Sequence, residues 1–268
     1  SMDRCFRTIA AWHHRADLTQ RGERDVRRVS DAGAARQAAR LIADAPNDRL
    51  TERESKSVLE LYGIPTVREL VADSLDALRR AATELGFPLA LKIESRDISH
   101  KTEAGGVALN LRSLDELRAA YERVLANARR FSPEAKISGV LLQPMVPPGV
   151  EVVAGARIDP LLGPLVVAGF GGMLVELLRD SAVELAPINA GEAARMLLRL
   201  KGAALFGGFR GAPAVDLERL ADILVRVSEF AADLRGSIAE LDINPIICSG
   251  STLVAVDALI VRALPQKI

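Results

Sequence analysis

The apolar pattern changes in kind halfway along the chain, and no single repetitive architecture accommodates both halves. From Leu50 to Arg130 helical and strand-like stretches alternate. Thr51 followed by Glu54 has capping-box spacing, and Val58, Leu59, Leu61 and Tyr62 supply a helical apolar face that Gly63 ends. Ile64-Pro65-Thr66-Val67 leads to a short strand, Ser74 to Leu85 reads as a helix closed by Gly86, and Pro88 to Ile93 reads as a buried strand. A polar loop from Glu94 to Gly106 precedes a strand at Val107 to Leu111, and Ser113 caps a helix to about Arg130. Beyond it, Val140 to Met145, Val150 to Ile158, Leu165 to Phe170 and Leu174 to Leu178 are strand-like runs separated by Pro-Pro-Gly, Asp-Pro and Gly-Phe-Gly-Gly turns, the rhythm of an antiparallel sheet. Helices follow at about 190–200 and 215–235, then strands Ile238 to Cys248 and Thr252 to Arg262 joined through Ser249-Gly250-Ser251. The expectation is an α/β chain, either one large domain or two of modest size.

Composition removes several function classes. Thirty-five basic side chains balance 35 acidic ones and only ten residues are aromatic, so neither the electrostatics nor the stacking surface of a nucleic-acid partner is present. The longest uncharged run, between Asp159 and Glu176, carries four glycines and two prolines and is no membrane span. Two cysteines far apart, Cys5 and Cys248, point to a reducing compartment, with the cytoplasm as the expected location. Ser1-Met2 reads as a cleavage scar, and Arg4, Arg7, His13, His14 and Arg15 break any secretory apolar region. Residues 1–45, with nine arginines in the first 40, read as a linker or tail of a preceding domain, or as a helix docked on the main body.

Three clusters carry candidate chemistry. Lys92 sits inside an apolar strand in a chain with six lysines and 29 arginines; it either meets an anion such as a nucleotide phosphate or snorkels to water from a strand end. Ser99-His100-Lys101-Thr102-Glu103-Ala104-Gly105-Gly106 is a polar loop ending in two glycines, which suits anion approach, and His100 is either a phosphoryl-accepting nucleophile or a surface histidine. Glu240, Asp242 and Asn244 share one face of a period-two strand, with Asp257 on the neighbouring hairpin strand. Such oxygen donors suit Mg²⁺ shared with phosphates, or else form a solvated face. Gly169-Phe170-Gly171-Gly172 by itself is a tight turn, and His13 and His14 read as surface residues. The Walker A, GxGxxG and GxSxG patterns are absent.

In order, Leu50-Thr51-Glu52, Tyr62-Gly63-Ile64-Pro65, Leu91-Lys92-Ile93, His100 to Val107, Asp159 to Pro164, Gly169 to Gly172, Gly208-Phe209-Arg210-Gly211 and Glu240 to Pro245 resemble the ATP-grasp domain of the nucleoside-diphosphate-forming acyl-CoA synthetases, from about Leu50 to Leu264. The resemblance implies an ATP-grasp fold whose two α+β lobes, a small one at 46–135 and a large one at 136–268, enclose Mg·ATP. It also implies a relay in which an acyl phosphate forms on a partner CoA-binding domain and a histidine carries the phosphoryl group to ADP. His100 matches a second, shuttling histidine, Lys92 matches a phosphate-binding lysine, and Gly105 and Gly106 are expected among the nucleotide-binding residues. Gln143, Met145 and Val146 fall at the adenine hinge with Glu151 just after it, Asn244 and Asp257 match magnesium ligands, and Asp242 is their neighbour. The implied ligands are ATP/ADP and Mg²⁺. The implied partners are CoA-binding and ligase domains, fused or in a separate α-type subunit, through which CoA and a carboxylic acid are engaged.

The chain departs from that pattern at Val183-Glu184 before Leu185-Ala186-Pro187, where family members often carry an aromatic-basic pair, and an acid there would weaken an anion contact. The resemblance leaves two functional readings, the phosphoryl-transfer domain of an ADP-forming acid–CoA ligase and a decayed module with a regulatory or assembly role. The retained His100 favours the first. Other ATP-grasp carboxylate–amine ligases do not account for the His100 loop.

Overall fold

A computed structural model describes residues 27–98, 100–172, 180–208, 211 and 213–263. The expected strand at 174–178 and the helix around Phe6 to Arg15 lie outside these residues. The described part of the N-terminal segment docks on the body. Helix α1 (Ala34–Asp44) buries Ala34, Ala38 and Ile42 along one stripe. Ahead of it, the Glu229 carboxylate accepts from the backbone N–H groups of Val29 and Ser30 at 2.6 and 2.8 Å, and Arg28 pairs with Asp233 at 2.6 Å.

Helix α2 (Glu52–Leu61) opens on the expected reciprocal capping box between Thr51 and Glu54, with Glu52 as its first residue. Strand β1 (Leu70–Ala72), helix α3 (Leu75–Leu85), strands β2 (Leu89–Ser95) and β3 (Val107–Leu111), helix α4 (Leu114–Phe131) and strand β4 (Ile137–Pro144) form the smaller layer pair. Its sheet runs β1-β4-β2-β3 with every pairing antiparallel. Leu89, Leu91 and Ile93 of β2 pack against Leu78, Ala82, Leu117 and Val124 of α3 and α4. Period two therefore sends Ala90, Lys92 and Glu94 to the opposite face, joined there by Leu141 and Gln143 of β4.

The larger layer pair follows: strands β5 (Val150–Asp159), β6 (Gly163–Phe170) and β7 (Ser181–Leu185), helix α5 (Ala190–Leu198), a 3₁₀ turn at Ala203–Gly207, helix α6 (Leu217–Asp233), and strands β8 (Ile238–Ser249), β9 (Thr252–Ala255) and β10 (Ala258–Arg262). The sheet order is β10-β8-β5-β6-β7 with β9 on β8. Its core gathers Val152, Val166, Ile243 and Ile246 under Leu220, Leu224, Val227 and Phe230 of α6, and includes the buried residues of α1 and α2.

Sheet and core membership divide the chain differently from the 46–135 and 136–268 lobes. Strand β4 belongs to the smaller sheet, because β2 needs a partner on each side, whereas 34–64 packs in the larger core. Two local expectations also shift. The run from Thr252 to Arg262 is two strands broken at Val256-Asp257, opposite Pro245, which has no N–H to continue the ladder. Strand β7 carries Val183 outward and Ala182 inward, an alternation too short and too weakly apolar to stand out in the sequence. Among the described residues no helix is long and apolar enough to cross a membrane.

Candidate active site

The free face of the smaller sheet looks across at β8 and the β9–β10 junction over a cleft of about 690 Å³. Nine of the eleven expected site residues line it: Lys92, His100, Gln143, Met145, Val146, Glu151, Asp242, Asn244 and Asp257. Gly105 and Gly106 do not.

The basic wall is built around Glu52. Its Oε1 accepts from Lys56 Nζ, Lys92 Nζ and Gln143 Nε2, each at 2.7 Å, and its Oε2 accepts from Lys101 Nζ. Lys92 is neither solvated nor snorkelling: its ammonium also donates to the Val256 carbonyl at 3.3 Å and lies 3.7 Å from Asp257. Behind the wall, Glu69 takes Lys56 at 2.7 Å and Gln143 at 2.9 Å. Burial acts to raise the Glu52 carboxyl, but Lys92, Lys101 and Lys56 together hold it well below the usual carboxylate range. Burial likewise acts against the Lys101 ammonium, and Glu52 reverses it, leaving this lysine above its ordinary value. Glu94, buried behind the loop, is pushed up by desolvation.

The His100 loop is a compact turn. Ala104 N–H donates to His100 O, Gly105 N–H to Thr102 O and Gly106 N–H to Lys101 O, so both glycine amides are spent inside the loop. Gly105 has φ +61°, and a Cβ on Gly106 would lie 2.7 Å from Ile93 Cγ2. The glycines let the loop fold back on β2 and present its other side to the cleft. There the His100 side chain is 68% exposed, 3.8 Å from Glu103, beside the partly buried Lys101.

The acidic wall has the opposite character. Asp242 and Asn244 stand on one face of β8 between the buried Leu241 and Ile243. Asn244 N–H donates to the Asp257 carbonyl, which aligns the junction beside them. The Asp242 carboxyl is raised by burial, by Glu240 and by Asp257. Asp257 is raised by burial and by Glu52, against the pull of Lys92 and Lys101. Among the described residues no group of three His, Cys, Asp or Glu is gathered for a metal. Two mutually repelling carboxylates and an amide oxygen nevertheless fit Mg²⁺, which takes few protein oxygens when phosphates complete its shell.

At the far end Met145 N–H donates to the carbonyl of Pro88, the residue ahead of β2, and Gly171 N–H donates to the Glu151 carbonyl at 2.7 Å. A Cβ on Gly172 would meet Glu151 Oε2 at 2.5 Å, so the Gly171-Gly172 turn exists to pack on Glu151. Glu184, on β7, does not line this cleft and is paired with Arg199 at 2.6 Å. Glu52 and the anchoring role of Lys101 escaped the sequence reading. The available signal was scarcity, since three of only six lysines converge on one carboxylate.

An ATP-grasp domain family matches residues 42–261. The β subunit of acetate–CoA ligase [ADP-forming] I from Pyrococcus furiosus is 41% identical over 216 residues, which are 81% of this chain and 93% of that protein. A trans-feruloyl-CoA synthase from an unidentified prokaryote is 37% identical over 218 residues, 81% of this chain but 31% of its own length. Among solved structures, dinucleotide-forming acetyl-coenzyme A synthetase 1 of Candidatus Korarchaeum cryptofilum, in complex with coenzyme A and Ca-AMPCP, superposes with a TM-score of 0.81 at 38% identity, covering 85% of this chain and all of that one. A second structure of that synthetase, holding coenzyme A and Mg-AMPPCP with its phosphohistidine segment pointing towards the nucleotide site, has a TM-score of 0.71 at 34% identity over the same shares.

Proposed function

Because the chain belongs to the ATP-grasp family it shares with the β subunits of ADP-forming acid–CoA ligases, we propose that it is the Mg·ATP-binding, phosphoryl-transferring part of such a ligase. The observation that carries this reading is the pairing of two unlike walls across one cleft, lysines on the smaller sheet and carboxylates on the larger, with an exposed histidine at the rim. Phosphoryl transfer needs positioning and charge neutralisation more than it needs covalent chemistry from the protein.

In this reading Lys92 meets the nucleotide phosphates, and Gln143, Met145, Val146 and Glu151 bound the base and sugar end. Gly105 and Gly106 act indirectly, by shaping the loop. Asp242, Asn244 and Asp257 would hold Mg²⁺, which when bound neutralises phosphate charge. His100 is the phosphoryl carrier: an imidazole nitrogen forms the N–P bond as the bond from the γ-phosphorus to the ADP oxygen breaks, and the reverse step returns the group to ADP. Its exposure and the compactness of its loop support a carrier that faces a partner. That partner is a CoA-binding and ligase domain, either a separate α-type subunit, as the β-subunit relatives suggest, or a fused segment, as the longer relatives suggest. CoA and the carboxylic acid act there. A cytoplasmic setting agrees with Cys248, whose thiol burial pushes up to about 12 and so keeps inert.

The test is titration of the chain with ADP, with and without Mg²⁺, followed by labelling with γ-labelled ATP. Saturable, Mg²⁺-enhanced binding and an acid-labile phosphate on His100 are expected. His100→Ala should keep ADP affinity within several-fold and lose the label. Wild-type labelling of that variant would remove the carrier role.

A further inference from the structure

Glu52 is the first residue of α2, its side chain is 1% exposed, and both of its oxygens are in use. It collects groups from four places in the fold: Lys56 on its own helix, Lys92 on β2, Lys101 in the His100 loop and Gln143 on β4. These contacts differ in kind. Lys56 and Gln143 are themselves held by Glu69, so they pin the carboxylate, Lys56 from behind the wall and Gln143 from its place beside Lys92 in the lining. Lys92 and Lys101 line the cleft in front. Two ammonium groups brought to one small volume repel, and each is costly to bury without an anion. The other carboxylates near them are poor substitutes. Asp257 is 3.7 Å from Lys92, and Glu94 keeps one buried oxygen without any partner.

We propose that Glu52 is a positioning residue for phosphate binding: a buried counter-charge that holds Lys92 and Lys101 side by side on the cleft floor so that both meet one polyphosphate. The inference rests on the nucleotide reading above and extends it to a residue that does not touch the nucleotide. The depressed Glu52 carboxyl and the raised Lys101 ammonium agree with the geometry. Because Lys101 follows His100 directly, the same carboxylate also anchors the loop that presents the carrier histidine.

A merely structural glutamate would affect every ligand alike, whereas a positioning one acts through the β-phosphate and beyond. The experiment compares wild type, Glu52→Gln and Glu52→Asp in the full chain. ADP and AMP affinities are titrated, and Lys92 and Lys101 are pulse-labelled with an amine-reactive ester in nucleotide-free protein and read by mass spectrometry. In Glu52→Gln, ADP affinity should fall by about tenfold or more, the scale of a charge-assisted contact, while AMP affinity changes by less than about threefold. Both lysines should acylate faster than in wild type, and Glu52→Asp should recover part of the ADP affinity. Should Glu52→Gln fail to fold, Glu52→Gln/Lys56→Gln makes the same change at the cleft with one fewer unpaired buried ammonium. Unchanged or tighter ADP binding would overturn the proposal, because the carboxylate would then be a bystander or a competitor of phosphate. Equal losses for AMP and ADP would overturn it in favour of a scaffold role. A wild-type chain that binds no ADP would instead sink the nucleotide reading itself, with this inference.

Discussion

The two walls of the cleft solve opposite electrostatic problems. On the side of the smaller sheet Lys56 and Lys92 are buried and Lys101 is partly so, yet each is paired, because Glu52 and Glu69 were folded in with them. On the larger sheet Asp242 and Asp257 are only partly exposed; burial and neighbouring carboxylates raise both, and at Asp257 Lys92 and Lys101 pull the other way without reversing the shift. The first wall is neutralised by the chain itself, whereas the second keeps carboxylates that burial disfavours, which suits the Mg²⁺ proposed above. Folding stability and ligand readiness therefore coincide on one side of the cleft and conflict on the other.

Lys92→Met breaks the satisfied wall and should have the largest effect. It removes the ammonium shared by Glu52 and Asp257 and should weaken ADP by tenfold to a hundredfold, the order expected for losing charge-assisted hydrogen bonds. Titration of the variant checks this, and unchanged affinity would remove Lys92 from the phosphate site.

Asp242→Asn sharpens the contrast, because it should help the free protein while harming the liganded one. A carboxyl raised in the folded state binds its proton more tightly there than in the unfolded chain. Stability is therefore lost as pH rises from the ordinary aspartate value of about 3.9 through the raised native one. At neutral pH the metal-free variant should melt slightly higher than wild type, by about 1–2 °C, and lose the Mg²⁺ enhancement of ADP binding. Below about pH 3.9 the difference in melting should vanish. Glu52 has the reverse sign: its depressed carboxyl contributes stability above the ordinary glutamate value that is lost as pH falls through the native one. Melting curves across the acid limb for Asp242→Asn and Glu52→Gln should thus diverge in opposite directions from wild type. Parallel curves would show that the two walls are not electrostatically distinct.

The same contrast explains what was legible in the sequence. Asp242 and Asn244 announce themselves because a period-two strand places them on one face, and Lys92 because a lone lysine interrupts an apolar strand. Helix caps at Thr51 and Ser113 are local and legible directly, and the helix expected from Ser74 has that serine as its cap. Glu52 reads as an ordinary helix-start acid, since nothing local distinguishes a glutamate that caps from one that gathers groups 40, 49 and 91 residues away. The sequence likewise suggests that Gly105 and Gly106 approach an anion, whereas their amides close the loop on itself. Which backbone groups a turn consumes is decided by its three-dimensional closure, and residue types do not encode that. The break at Val256-Asp257 is also a tertiary matter, set by Pro245 on the neighbouring strand.

Glu184→Ala offers the smallest effect and bounds how far the contrast between the walls extends. Read against its family, this acid stood where a basic residue is frequent and so threatened the anion site. In the fold it lies on β7 at the edge of the larger sheet, and Arg199, itself half exposed, takes its carboxylate at 2.6 Å. Such a pair contributes about 1 kcal/mol or less, and salt screens charges separated by more than about 8–10 Å. The variant should shift melting by no more than a few degrees and leave ADP affinity unchanged at physiological salt. Tighter ADP binding in Glu184→Ala would mean that the field of the edge strand reaches the phosphates, and the cleft's charge balance would then have to include the whole sheet rather than its two facing walls.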